Sequence, residues 1–203
     1  MLSNTAKLVV ATSNPGKLAE LRQMLAETPV SVLSLANFGS IVEIEETGST
    51  FAENAIMKAA GYASQTGLPT LADDSGLEIE ALGGRPGIHS ARYGGDMIFA
   101  EKMGLVLAEL LDTATNNRRA RFVSSIAFAS ADGAIIHTVE GECSGIIAED
   151  SRGNGGFGYD PIFVPDGYDQ TFGELADSIK EQISHRSRAF SKIIPYLRDF
   201  YSV

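Results

Sequence analysis

The sequence predicts an α/β fold with a mixed sheet, parallel in the N-terminal half and antiparallel in the C-terminal half. The apolar run Leu8 to Thr12 is followed by a helix signal, and another apolar run begins at Thr70. Strand, helix and strand in this order favour parallel pairing. Phe122 to Ala129 and Ile135 to Val139 flank the turn Ala131 to Ala134, which predicts a hairpin and therefore antiparallel strands.

Composition excludes several classes of protein. With Lys+Arg 16 against Asp+Glu 26 in 203 residues, the net charge of -10 argues against a protein that grips nucleic acid. No apolar run approaches the roughly 20 residues of a membrane span, and Met1 to Lys7 lack the pattern of a signal peptide. The single cysteine, Cys143, excludes an intramolecular disulfide and a multi-cysteine zinc site. We therefore expect a soluble, cytoplasmic protein without a nucleic-acid or membrane partner.

The first apolar run ends in the loop Thr12-Ser13-Asn14-Pro15-Gly16-Lys17, which indicates the start of a helix. Asn14 is a good N-cap, and Pro15 suits the first helical position because it lacks the N–H that would be unsatisfied there. Lys17 opposes the helix dipole, which suggests a negative ligand at this end of the helix. The alternative is an exposed lysine without a ligand.

Two further elements lead to the second apolar run. Val30 to Leu35 predicts a strand, and Val42 to Gly48 alternates apolar and acidic residues, so Glu45 and Glu46 can be rim charges. Thr50 is a candidate N-cap for a helix from Phe51 to Thr66, with Glu53 in the position of a capping box.

In the stretch Thr70 to Leu77, an apolar run ends in two adjacent carboxylates, Asp73 and Asp74, before an expected turn at Gly76. Two carboxylates held close together need a positive partner, and a few carboxylates with substrate phosphates are typical of a Mg²⁺ site. We expect Lys17 and Asp74 to project at the carboxyl ends of parallel strands, where ligands bind. The alternative is that an aspartate only caps the next element.

The second half of the chain alternates short elements with glycine-rich turns. The pattern predicts a strand or short helix over Leu77 to Leu82, a helix over Met97 to Leu111, a separate strand over Glu140 to Glu149 and a helix over Phe172 to Lys180. Ser184 is the expected cap of a last helix that opens with the cationic residues His185 and Arg186, and Pro195 is expected to kink or end that helix early.

The segment Ser151 to Pro161 has the highest glycine density of the chain. Glycine permits close approach, and it leaves Phe157 and Tyr159 able to present a ring face to a purine. Equally, the aromatic rings can turn into the core.

Six segments taken together (TSNPGK, EETGSTFAENA, LADDSGL, PGIHSARY, GGFGYDPIF and ISHRSRA) resemble the inosine triphosphatase family, the XTP/dITP diphosphatases. The resemblance runs from Thr12 to Ala189. It implies an elongated mixed sheet with flanking helices, and one domain, residues 1–203, with two lobes around a central cleft. It also implies a homodimer and Mg²⁺-dependent hydrolysis of ITP, dITP and XTP to the monophosphate and pyrophosphate.

The resemblance also assigns roles by position. Glu45 and Asp74 would bind Mg²⁺, Asp74 would accept the proton of the attacking water, and Asp73 would be a supporting charge. The substrate would be contacted by the triphosphate loop Thr12, Ser13, Asn14, Pro15, Gly16 and Lys17, by Ser75 and Lys180, by Phe157, Gly158, Tyr159 and Asp160 around base and sugar, and by His185 and Arg186 at the base.

The sequence departs from the family pattern at two places. Ser13 stands where the family usually has glycine, which puts the distance of the loop from phosphate in question. The segment Asp96 to Gly104 matches the family's usual continuation poorly.

Overall fold

The computed structural model describes residues 6–113 and 115–201, in which six strands form one sheet of order β2-β1-β3-β4-β5-β6. The strands are β1 (Ala6–Ala11), β2 (Val30–Ser34), β3 (Thr70–Ile79), β4 (Arg119–Ala129), β5 (Ile135–Ile147) and β6 (Phe163–Pro165). The helices are α1 (Pro15–Met24), α2 (Phe51–Thr66), α3 (Phe99–Leu111), α4 (Asp177–Ile183) and α5 (His185–Phe200). β1 pairs in parallel with β2 and β3, and β5 pairs antiparallel with β6. The predicted mixed α/β class is confirmed.

One compact unit contains the described residues up to Asp74, Ser125–Glu140 and the chain from Ala189. Helices cover both faces of its part of the sheet, and successive residues of each strand point to opposite faces. Leu71 and Phe128 pack on α1 and α5, whereas Ala72 and Ala127 pack on α2. The small residues on the second face match the alanines of α2 (Ala55, Ala59 and Ala63), so this helix lies close to the strands.

The other unit contains the described residues of Ser75–Ser124 and Gly141–Arg188. Its core is aromatic: the ring centroids of Phe122 and Phe163 are 4.7 Å apart, and those of Phe163 and Phe172 are 5.4 Å apart. Aliphatic residues from β3 and α3, among them Leu77, Ile79 and Val106, complete this core.

The predicted hairpin is formed by β4 and β5. Near the turn, the Ser130 N–H donates to the carbonyl of Ala134 (2.9 Å), and at the other end the Ile147 N–H donates to the carbonyl of Arg118 (2.9 Å). The prediction of a separate strand over Glu140 to Glu149 was wrong, since β5 continues without a break to Ile147.

Two other boundaries, the end of β3 and the start of α4, also differ from the predictions. β3 does not turn at Gly76 but runs on to Ile79, and Glu80–Leu82 form a 3₁₀ turn. The helix predicted to begin at Phe172 is α4, which begins at Asp177, because the Thr171 carbonyl closes a tight turn that places Phe172 and Leu175 in the core.

The last helix, α5, begins after Ser184 as predicted, since the Ser184 hydroxyl accepts from the Ser187 N–H (3.2 Å). It does not end early at Pro195 but continues to Phe200. Ile193 and Leu197, one on each side of the proline, are buried in the core, and their packing offsets the lost backbone hydrogen bond.

The prediction about Met1 to Lys7 falls largely outside the described residues. Among the helices that the structure describes, none has the length and apolar character needed to cross a membrane.

Candidate active site

The loop after β1 is closed by its own side chains. As predicted, Asn14 is the N-cap of α1: its Oδ1 accepts from the N–H groups of Gly16 (2.9 Å) and Lys17 (3.2 Å). The Thr12 hydroxyl accepts from the Asn14 N–H (3.2 Å), and Pro15 occupies the first turn. Because two N–H groups of the helix start are bonded within the loop, an anion at this end of α1 meets chiefly the ammonium of Lys17.

Lys17 lies against the acidic pair of β3. Its Nζ is 2.8 Å from Oδ2 of Asp73, whose side chain is fully buried. The pairing of β1 with β3 ends at Ala11 and Ala72, so Asp73 comes directly after the last residue that β1 covers. The expected neighbour of Lys17 was Asp74; the charge of Lys17 does act to lower the pKa of Asp74, but the direct ion pair of Lys17 is with Asp73.

Asp74 is held by two side chains of α2 that the sequence did not single out. The Lys58 Nζ is 2.9 Å from Oδ1 of Asp74, and the Asn54 Nδ2 donates to Oδ2 (3.2 Å). Asn54 and Lys58 are one helical turn apart and buried beside Ala55 and Ala59. Polar residues repeated at this spacing within a small-residue face are the signal that could have revealed them.

The two carboxylates of the pair do not converge. Leu71 belongs to the sheet face that packs on α1, and Ala72 to the face that packs on α2. By the same alternation Asp73 reaches Lys17 of α1, and Asp74 reaches Lys58 of α2. The positive partner expected for the pair is therefore present, and it is a lysine for each carboxylate.

Burial and charge act in opposite directions on this cluster. Burial raises the pKa of Asp74 above its usual value, and the ammonium of Lys58 opposes that rise. Burial alone would lower the pKa of Lys58, but the attraction of Asp74 and Glu46 outweighs it, so this pKa is raised. The pair is therefore an ammonium beside a carboxylate that is more basic than an exposed aspartate.

Glu46, which the sequence suggested to be a rim charge, shares the ammonium of Lys58 with Asp74, at 2.8 Å from its Oε1. Glu45, the predicted metal ligand, is exposed in the same segment, and its role stays a prediction. Within residues 6–113 and 115–201, no three His, Cys, Asp or Glu side chains are grouped to hold a metal. Mg²⁺ commonly uses only one or two carboxylates and keeps several waters, so these oxygen donors fit a hydrated divalent ion.

The predicted residues for base and sugar lie in the other unit, around a buried ion pair. The Lys180 Nζ is 2.7 Å from Oδ2 of Asp160, and the same oxygen accepts from the Phe157 N–H (2.7 Å). The ammonium of Lys180 also lies 4.6 Å from the ring centroid of Phe157. Asp160 thus fixes both the lysine and the backbone that carries the aromatic ring.

Glycine makes this arrangement possible at one position. Gly156 has φ of 67°, in the left-handed region, and a Cβ built there would lie 2.1 Å from Oδ2 of Asp160. Any side chain at residue 156 would therefore collide with the carboxylate that holds Lys180.

Arg186 brings a second cation to Phe157. Its guanidinium carbon lies 5.7 Å from the ring centroid of Phe157, and its Nη2 donates to the hydroxyl of Ser75 (2.8 Å). Arg186 is only 1% exposed. The structure thus groups Ser75, Phe157, Lys180 and Arg186, all predicted to bind substrate.

Three other predicted residues face protein groups. The Tyr159 hydroxyl donates to the carbonyl of Ser90 (3.0 Å), and its ring packs edge-on against Phe99, so the alternative of a ring turned into the core holds for Tyr159. A Cβ built on Gly158 would lie 3.7 Å from Cε1 of the same Phe99 ring. The His185 ring stacks on Phe122 at 4.8 Å, and its contact with a base stays a prediction.

Comparison with known proteins places these residues in a family. The sequence model of the Ham1 family matches residues 8–196. Relatives named dITP/XTP pyrophosphatase include one from Bacillus subtilis, 48% identical over 189 residues (91% of this chain, 93% of that protein). Another, from Mycobacterium tuberculosis, is 47% identical over 199 residues, 95% of each chain.

Solved structures agree with the sequence comparison. A HAM1 protein from Coxiella burnetii has a TM-score of 0.88 and 41% identity, covering 96% of this chain and 99% of that one. The Ham1 protein of Staphylococcus aureus has a TM-score of 0.84 and 37% identity, covering 95% and 98%. By its sequence and by its fold, this chain belongs to the Ham1 family.

Proposed function

We propose that this protein is a nucleoside triphosphate pyrophosphatase that hydrolyses dITP, XTP and ITP to the nucleoside monophosphate and pyrophosphate. The observation that carries the proposal is the pair of lysine–carboxylate contacts at consecutive residues of β3, Lys17 with Asp73 and Lys58 with Asp74. The names of the relatives, dITP/XTP pyrophosphatase, supply the substrate class.

The phosphate chemistry is assigned to the Asp74 cluster. The oxygen of the water bonds to the α-phosphorus, the bond between this phosphorus and the α–β bridging oxygen breaks, and pyrophosphate leaves with the bridging oxygen. The proton of the water passes to Asp74. Its raised pKa makes the Asp74 carboxylate a better base than an exposed aspartate, and the ammonium of Lys58 keeps it ionised. Lys17, beside Asp73, supplies a positive charge for the phosphate oxygens.

We assign the metal to Glu45 and Asp74, as the family resemblance implies. Bound Mg²⁺ would neutralise charge that develops on the phosphate oxygens.

The base is assigned to the cluster around Phe157. A purine ring can stack on the exposed part of the Phe157 ring, with Lys180 and Arg186 nearby as donors. A guanidinium only donates, so Arg186 would pair with the acceptor at position 6 of hypoxanthine or xanthine and oppose the amino group of adenine. Ser75, bonded to Arg186, would hold the guanidinium in place. The same assignment gives Gly158, Tyr159, Asp160 and His185 contacts with the base and sugar, as the family resemblance implies.

A panel of nucleotides tests the proposal. The purified protein is incubated with ITP, XTP, dITP, GTP, ATP and dTTP, with and without Mg²⁺, and the products are identified by ³¹P NMR. We expect pyrophosphate from ITP, dITP and XTP only when Mg²⁺ is present. Release of orthophosphate would show that a different bond is cut, and no product from any nucleotide would contradict an enzymatic function.

The single two-lobed domain and the homodimer implied by the family resemblance, and the cytoplasmic location expected from the composition, belong to the same proposal. Light scattering of the purified protein tests the homodimer, for which we expect twice the mass of the 21.6 kDa chain.

A further inference from the structure

The segment of residues 41–49, here called the acidic strap, carries Glu45 and Glu46 and contains neither helix nor strand. A segment without regular structure has no backbone ladder to fix its side chains, so other contacts must hold it. Those contacts come from α2 along the length of the strap.

At its beginning, the acidic strap is held by a two-way hydrogen bond with a glutamine. The Gln65 Nε2 donates to the carbonyl of Val42 (2.9 Å), and the Val42 N–H donates to Oε1 of Gln65 (2.8 Å). The side-chain amide thus pairs with the backbone of Val42 as a neighbouring strand would.

In its middle, the acidic strap is held by Tyr62, whose hydroxyl accepts from the Ile44 N–H (3.3 Å). Ile44 fills the space over Gly61, where a Cβ would lie 2.5 Å from its Cδ1. Two residues further on, Glu46 pairs with Lys58 at 2.8 Å.

At its end, the Gly48 N–H donates to Oδ1 of Asn54 (2.8 Å), and a Cβ on Gly48 would lie 2.7 Å from the same oxygen. The holding side chains of α2 (Asn54, Lys58, Tyr62 and Gln65) recur at intervals of four, four and three, which is one stripe of a helix, and Gly61 lies next to Tyr62. Asn54 and Lys58 of this stripe also hold Asp74.

We propose that Gln65 is a positioning residue that sets the place of the strap carboxylates relative to Asp74 and thereby the affinity for a divalent cation. Gln65 lies on the helix eleven residues from Asn54, about 16 Å along the axis, and its bonds to Val42 anchor the end of the strap opposite Gly48. The inference rests on the proposed function, because it takes the strap and Asp74 to be the cation site.

The experiment compares Gln65→Met with wild type. Methionine keeps the length of the side chain and its helix propensity but cannot bond to Val42. The matched control is Gln182→Met, the same change at an exposed position of α4. Binding of Mn²⁺ to the nucleotide-free protein is followed by the loss of the free-ion EPR signal, and Asp74→Asn identifies the binding that belongs to this site. Hydrogen exchange of residues 41–49 reports whether the strap is loosened.

We expect Gln65→Met to raise the Mn²⁺ Kd about threefold to tenfold, the effect of losing two exposed hydrogen bonds. Hydrogen exchange of the acidic strap should be faster in this variant, while kcat at saturating Mn²⁺ stays close to wild type. Gln182→Met should change neither the Mn²⁺ Kd, nor the exchange, nor kcat. A faster-exchanging strap with an unchanged Kd would overturn the positioning role, and so would no change in either measurement. If wild type binds no Mn²⁺ that depends on Asp74, the metal part of the proposed function fails and takes this inference with it.

Discussion

Asp73 and Asp74, consecutive residues of β3, contact lysines of two different helices: Asp73 lies 2.8 Å from Lys17 of α1, and Asp74 lies 2.9 Å from Lys58 of α2. Alternation along the strand points the two carboxylates to opposite faces of the sheet, where each meets a different lysine. One residue pair thus provides two differently placed ion pairs, and substitutions can test them separately.

The first prediction concerns Asp74→Asn. We expect this variant to lose turnover of ITP by about a thousandfold or more, because asparagine cannot accept a proton from water. The measurement is release of pyrophosphate, with circular dichroism to show that the fold is retained. The control is Asp132→Asn, an exposed aspartate in the β4–β5 turn, which should keep wild-type kcat. Near-normal turnover of folded Asp74→Asn would rule out its role as proton acceptor.

The second prediction concerns Lys58→Met and pH. Without the ammonium, the carboxylate of Asp74 stays buried and loses the group that lowers its pKa, so this pKa rises further. Breaking a buried pair on one side typically costs about 3–5 kcal/mol of unfolding free energy. A pKa that is higher in the folded than in the unfolded protein adds stability below the unfolded pKa, and this stability is lost as the pH rises through the folded pKa. The loss of unfolding free energy caused by Lys58→Met should therefore be small near pH 4 and grow toward pH 8.

Urea unfolding at both pH values measures this deficit, with Lys192→Met as the control. Lys192 is exposed and its ammonium donates to the carbonyl of Glu140 (2.6 Å), so its loss should cost little unfolding free energy at either pH. If Lys58→Met lowers the unfolding free energy equally at both pH values, the ion pair with Lys58 does not control the pKa of Asp74.

The third prediction concerns the base. Arg186→Lys keeps the charge but loses the planar fork that contacts Ser75 and lies over Phe157. We expect kcat/KM for ITP to fall about 10- to 100-fold while the low rate with ATP changes little, so that discrimination between the two nucleotides shrinks. Arg188→Lys, at an exposed position of the same helix, should leave the ratio unchanged. An equal fall for ITP and ATP would assign Arg186 to phosphate or to structure instead of the base.

The fourth prediction compares two glycines with nearly the same positive φ. Gly67 (φ of 64°) has nothing within 4 Å of a built Cβ, whereas at Gly156 (φ of 67°) the Cβ would collide with Asp160. Gly67→Ala should cost only the left-handed strain of about 1–2 kcal/mol. Gly156→Ala should cost more and also raise KM for ITP, because it displaces the carboxylate that holds Lys180. Equal costs with an unchanged KM would show that the Asp160–Lys180 pair does not shape the base site.

Local chemistry was enough to predict the starts of α1 and α2. Asn14 and Thr50 each bond to N–H groups of the first turn that follows them, and such caps are set by neighbouring residues. The length of β3 could not be read in the same way. Gly76 indicates a turn when considered alone, but pairing with other strands carries the chain through it to Ile79.

The partners of Asp74 could not be predicted because they are distant in sequence. Lys58 and Asn54 lie sixteen and twenty residues before Asp74, on a helix whose face toward the strand is fixed only by packing. Tyr159 illustrates the same limit. An aromatic ring in a glycine-rich loop has two possible environments, and only the contact with Ser90 decides for the core.

The alternation of β3 has an evolutionary consequence. Loss or gain of a single codon between Leu71 and Asp74 would turn each aspartate toward the helix that the other now contacts. The apolar residues beside them would move to the opposite face of the sheet. This strand should therefore tolerate point changes far better than changes of length, and insertion libraries of this gene should be depleted across it.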